Sequence, residues 1–189
     1  MGERIYSANP SEVLARLICC GGGLEMKPAL LVIDVQKEFF DISQTCSDSL
    51  KSAVECINAT IALFRKKSLP IFVIQHRSDN EGLVPGKSGF DVPESLKVEP
   101  QDTRIVKTYG NSFAKTGLAE KLREQGVDTV IVTGFCAEFC VLSTYRGAQD
   151  LDFVPIIVKG SVASDNAEHI RFVEDISETI SLGALKTLL

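Results

Sequence analysis

Short, wholly apolar runs that end in a polar residue recur along this chain, and they restrict its fold more than any other feature. Ala29-Leu30-Leu31-Val32-Ile33 ends in Asp34, and Ile71-Phe72-Val73-Ile74 ends in Gln75 and His76. Asp128-Thr129-Val130-Ile131-Val132-Thr133-Gly134 is a third such run. A strand with one wet face alternates polar and apolar residues, whereas a strand covered on both faces does not. These runs therefore read as buried strands of a parallel sheet. Thr103 to Lys107 and Phe153 to Val158 add two more, and Pro155 marks an edge-like or bulged spot in the latter. A short strand is expected near Thr179 to Ser181.

Helical patterns fill the gaps. Leu50, Val54, Ile57, Ile61 and Phe64 recur at helical spacing with Lys51, Glu55, Arg65 and Lys66 off the stripe, and Ser47 or Ser49 is available as a cap. Further helices are expected around Leu118 and Leu122 up to Gly126, from Glu138 to Asp150, from Ala167 to Asp175 and from Gly183 onward. Residues 77–102, richer in Gly, Pro and charge, read as a long loop, and long loops in compact domains are often functional. Strand and helix alternate throughout, so the fold class is α/β, a three-layer sandwich around a mainly parallel sheet. Ligands of such sheets bind beyond the carboxyl ends of the strands. Asp34, His76, Lys107 and the turn from Gly134 to Cys140 all fall there, on one rim.

Bulk properties exclude several functions. A formal net charge of -5 with scattered Lys and Arg argues against nucleic acid as a partner. No apolar run approaches the roughly 20 residues of a membrane helix. The six cysteines are irregularly spaced and no export signal is evident, so the protein is expected to be cytoplasmic with reduced thiols. Residues 1–26 read as an N-terminal extension ahead of a single domain over residues 27–189. Either Met26 is the true start, or residues 1–25 form a loosely held arm.

On the rim, Cys140 lies about six residues beyond the Asp128–Gly134 strand, in the expected first turn of a helix. The helix dipole should lower its thiol pKa there, and free N–H groups should receive an oxyanion. The plain alternative is a small core residue. Asp34 could be a general base or only a cap, and Lys107 a partner charge or a snorkelling surface residue. Together they form a coherent set: the carboxylate takes the thiol proton and the ammonium steadies both anions. His76 could ligate a metal, but His169 is the only other histidine and the spacing of zinc sites is missing. A redox pair of Cys136 and Cys140 would have three intervening residues rather than the usual two. No phosphate-binding glycine loop appears.

Three segments together resemble the isochorismatase-like cysteine hydrolases. They are Leu31-Val32-Ile33-Asp34-Val35-Gln36 with Phe39; Lys107 with Asn111-Ser112-Phe113 and Thr116-x-Leu118; and Val132 to Val141 with Thr144 and Ala148. They occur in the right order over residues 28–181. The resemblance implies a sheet of six strands in order 3-2-1-4-5-6 and an Asp34, Lys107, Cys140 triad. It also implies a cis peptide between Phe135 and Cys136, and an oxyanion hole from the N–H groups of Cys136 and Cys140. A homodimer or homotetramer acting on a small-molecule substrate without a cofactor is implied as well. The histidine-containing metal motif of nicotinamidases is absent from Phe39 to Gln44, so no metal is expected. Isochorismatases that cleave a vinyl ether can work without the cysteine, so Cys140 favours amide chemistry on a carboxamide, ureido or carbamoyl carbon; vinyl-ether hydrolysis and a non-catalytic binding protein on the same fold are the alternatives. Ala137 departs from the threonine common at its position. Gln36, Phe39, Phe40, His76 and Tyr109 are the pocket candidates, while Phe113 and Phe139 are expected in the core.

Overall fold

The computed structural model describes residues 26–189; the expectations for residues 1–25 lie outside the described residues. Six strands form one sheet: β1 (Pro28–Ile33), β2 (Ile71–His76), β3 (Thr103–Lys107), β4 (Thr129–Phe135), β5 (Val154–Ala163) and β6 (Thr179–Ile180). Their order is β3-β2-β1-β4-β5-β6, and every neighbouring pair is parallel. The helices are α1 (Gln44–Lys66), α2 (Leu118–Glu124), α3 (Leu142–Asp150), α4 (Ala167–Asp175) and α5 (Leu182–Leu188). The three-layer α/β sandwich read from the sequence is the observed fold.

The unbroken apolar runs separate into two faces. Ala29, Leu31 and Ile33 of β1 pack with Leu118, Leu122, Tyr145, Ala148 and Val173, from α2, α3 and α4. Leu30 and Val32 pack with Leu50, Val54, Ile57, Ile61 and Phe64 of α1 and Leu185 of α5. Each face is shielded by helices, so alternation carries no polar signal. The α1 stripe faces the sheet as its spacing predicts, but the helix starts earlier than Ser47 or Ser49. Ser43 accepts from the Cys46 N–H at 3.0 Å and caps it. Ser49 instead accepts from the Ser164 N–H.

Pro155 is edge-like for a local reason. The Ile157 N–H bonds Glu178 O on the β6 side, so the Pro155 nitrogen points to that side too, where β6 has not yet begun. The loop 77–102 has structure of its own: an isolated antiparallel bridge joins Ser78 and Leu83, a 3-10 turn spans Ser88–Phe90, and Phe90 and Leu96 are buried. Among the described residues no helix is long and apolar enough to cross a membrane.

One glycine is fixed by the sheet. Gly134 has φ 119°, and a Cβ there would collide with the backbone of Ile33 on β1. The register between β4 and β5 also shifts at Val132/Gly134. Gly134→Ala is expected to lose about 3 kcal/mol or more, since both the backbone region and the β1 contact oppose it. A denaturant midpoint unchanged from wild type would contradict this.

Candidate active site

Four strand ends build the site. Asp34 follows β1, with φ 50°, and its N–H bonds Ile74 O at 2.9 Å. That left-handed conformation is better tolerated by Asp than by most residues. His76 and Lys107 end β2 and β3 and are register partners. Beyond β4 the Phe135–Cys136 peptide is cis, and the chain enters a π turn, Ala137–Val141, before α3 begins. Phe139 and Val141 both donate their N–H groups to Cys136 O at 3.1 Å.

Lys107 gathers these ends together. β3 and β1 are not neighbours; β2 lies between them, so their backbones are roughly 10 Å apart. Only a long side chain bridges that gap. The Lys107 ammonium passes 3.4 Å from His76 Nδ1 and reaches to 2.7 Å from Asp34 Oδ2. It also donates to Cys140 Sγ at 3.2 Å and to Tyr109 O at 3.1 Å. The Lys107 and Asp34 side chains are 0% and 1% exposed, so neither is the surface residue that each type usually is.

Although the ammonium is close, neither carboxylate oxygen of Asp34 has a hydrogen bond of good geometry. Burial raises its pKa above the ordinary 3.8, and Lys107 only partly offsets that. The Cys140 thiol is pushed up to about 12, first by burial and then by the Asp34 charge, with Lys107 again opposing. This corrects the expected helix-dipole lowering. Cys140 sits in a wide π turn, packed partly against the core, where burial disfavours the thiolate. His76, partly buried beside Lys107, has its pKa lowered by burial and by that charge. Its imidazole is therefore neutral at pH 7, with Nδ1 turned to the ammonium.

The other pocket candidates divide. Gln36 is fully buried: Nε2 donates to His76 O and Phe90 O, both at 3.0 Å, and Oε1 accepts from His76 N–H at 2.7 Å. It clamps the loop 77–102 to the strand ends. Phe39 packs on the Phe135 ring with centroids 5.0 Å apart, and Phe40 packs on the same α1-side core, while Cys140 packs against the opposite one. Tyr109 lies on the rim, 45% exposed, with Lys115 donating to its hydroxyl. Phe113 is in the core, stacked on Phe153. Phe139 is not: it is 65% exposed, because the turn points the flanking Glu138 and Cys140 side chains into contacts and leaves Phe139 outward.

The second sequence segment is pinned to the third. Ser112 donates its N–H to Thr144 Oγ1 at 3.0 Å and shares a 2.7 Å hydroxyl contact with it. Gly147 leaves room for the Asn111 side chain against α3. Cys136 Sγ donates to Glu138 Oε2 at 2.9 Å, and the described cysteines are free thiols. Cys136 belongs to the α1-side core and Cys140 contacts the other, so this arrangement does not present them as a facing redox pair. Among the described residues no group of three or more His, Cys, Asp or Glu side chains is arranged to hold a metal ion. Glu138, inside the third segment, also accepts from Ser164 Oγ at 3.0 Å, a contact that spacing alone does not reveal.

Comparison with known proteins agrees with this architecture. The model of the isochorismatase domain matches residues 28–174. An uncharacterised isochorismatase family protein of Bacillus subtilis is 33% identical over 143 residues, 75% of this chain and 76% of that protein. A streptothricin hydrolase of Streptomyces noursei is 28% identical, the match covering 80% of this chain and 54% of the hydrolase. A crystal structure of an isochorismatase family protein superposes with a TM-score of 0.76 at 31% identity, covering 83% of this chain and 99% of that one. With a matching domain model over most of its length, this sheet order and these relatives, the chain belongs to the isochorismatase family of hydrolases.

Proposed function

We propose that this protein is a metal-independent cysteine hydrolase that cleaves a C–N bond in a small carboxamide, ureido or carbamoyl compound through a thioester on Cys140. The observation that carries the reading is Lys107, whose buried ammonium lies 2.7 Å from Asp34 Oδ2 and 3.2 Å from Cys140 Sγ. A base, a cation and a nucleophile from three strand ends have no reason to converge in a dry site unless chemistry uses them.

The steps follow from the charges. With its thiol pKa near 12, Cys140 rests protonated, so its proton must leave as Sγ attacks. Asp34, a stronger base than a solvated carboxylate, takes it. The C–S bond forms and the carbonyl oxygen becomes an oxyanion, received by the N–H groups of Cys136 and Cys140. Lys107 keeps Asp34 ionised before the step and steadies the sulfur anion within it. Collapse breaks the C–N bond, and the leaving nitrogen takes the proton from Asp34. Water then gives a proton to Asp34 and adds to the thioester. Expulsion of the sulfur, reprotonated from Asp34, releases the acid. The His76 ring flanks the ammonium, and Tyr109, whose backbone carbonyl accepts from it, presents an exposed side chain at the rim; both are candidates to meet a bound substrate.

The test is ammonia release from a panel of small carboxamides, ureido acids and carbamoyl compounds, in chelator. Release from at least one class supports the reading. No release from any, together with cleavage of a vinyl ether, would replace it with ether hydrolysis.

A further inference from the structure

The third segment carries a carboxylate that the steps above leave unused. Glu138 lies in the π turn between Cys136 and Cys140, and its three side-chain partners are all outside the triad. Oε2 accepts from Cys136 Sγ at 2.9 Å. Oε1 accepts from Ser164 Oγ at 3.0 Å and contacts His169 Nδ1 at 2.6 Å. Those partners are themselves fixed. Ser164 N–H donates to Ser49 Oγ of α1, Ser164 Oγ accepts from Asn166 N–H, and Asn166 Oδ1 caps α4 by accepting from Glu168 N–H. His169 rides on α4.

We infer that Glu138 is a positioning residue, a strap that ties the nucleophile turn to α1 and α4 and so fixes where the Cys136 N–H and the Cys140 thiol point. The inference rests on the cysteine-hydrolase reading. Three features support it. First, the strap closes the turn on itself, from residue 138 back to residue 136, the residue whose N–H is assigned to the oxyanion. Second, it joins parts of the chain far apart in sequence, so it resists rotation of the whole turn rather than of one side chain. Third, the carboxylate is held ionised. Burial works against its charge, but hydrogen bonds from Cys136, its own backbone, His169 and Ser164 outweigh that and keep its pKa below the ordinary range. Glu138 in turn helps burial push the Cys136 thiol up to about 12, so Cys136 stays an S–H donor and does not compete as a nucleophile.

The test uses a substrate that releases ammonia, with Glu138→Ala, Glu138→Gln, Cys136→Ala and the Glu138→Ala/Cys136→Ala double variant. Glu138→Ala should lower kcat about 100-fold, the scale of a slight misplacement at the reacting centre, with KM within roughly threefold. Glu138→Gln keeps an oxygen for Ser164 and His169 and should recover to within about tenfold of wild type. Cys136→Ala should lower kcat less than Glu138→Ala does. The double variant should be no worse than Glu138→Ala alone, because the two residues act through one contact. Turnover retained by Cys140→Ala would mean that the hydrolase reading itself has failed. If Cys140→Ala is dead but Glu138→Ala turns over like wild type, the strap alone is wrong. It is also wrong if the kcat loss in Glu138→Ala follows a matching fall in the folded fraction, or if Glu138→Gln is as impaired as Glu138→Ala.

Discussion

Cys140→Ala should lose turnover by at least about 10⁴-fold, the scale on which removal of a nucleophile acts when no other group can form the covalent intermediate. The fold should scarcely notice. Cys140 is only partly buried, and removing one sulfur there should cost about 1 kcal/mol or less. The separation of the two effects is the informative part. A core cysteine replaced by alanine would change stability and leave chemistry alone; a nucleophile does the reverse. Ammonia release and thermal melting on the same preparation check both, and a variant with more than a tenth of wild-type turnover would contradict the assignment.

Asp34→Asn should lose about 10³- to 10⁴-fold in kcat/KM, because the amide cannot take the thiol proton and leaves the Lys107 ammonium without its counter-charge. The wild-type pH profile should show the same group. The working form of Asp34 is the carboxylate. Burial raises its pKa above 3.8, so the active fraction falls as pH drops through that raised value. The acid limb of kcat/KM should therefore lie above the ordinary carboxylate range, with a slope of one proton. In Asp34→Asn the residual rate should lack that limb. A limb at or below pH 4 in wild type would contradict the buried base.

The sequence exposes this fold and site unevenly, for physical reasons. The runs at residues 29–33 and 129–134 are buried on both faces, as strands of a parallel sheet under helices are, and helical patterns alternate with them, so the architecture was legible. The polar residues ending those runs were legible too, since parallel strands place their carboxyl ends on one rim. That Lys107 reaches past β2 to Asp34 was not legible from spacing, because it depends on strand order. Lys107 is long because β2 stands between β3 and β1. The exposure of Phe139 was not legible because the side of a turn that a side chain takes is set by contacts with distant segments, here those of Glu138 with Ser164 and His169. The thiol pKa was misread for a related reason. A helix N-terminus favours the thiolate, whereas burial disfavours it, and burial is a property of the whole fold. Glu138 escaped notice because its partners Ser164 and His169 lie 26 and 31 residues away.

The central claim is a covalent bond to Cys140, and trapping it is the most direct measurement. The enzyme would be mixed with the amide that it turns over fastest, quenched in acid within a few turnovers and digested for mass spectrometry. The account predicts that the peptide carrying Cys140 gains the mass of the acyl group, that Cys136 is unmodified, and that Asp34→Asn gives little or none. Steady turnover with Cys140 never modified, and the same turnover in Cys140→Ala, would contradict it.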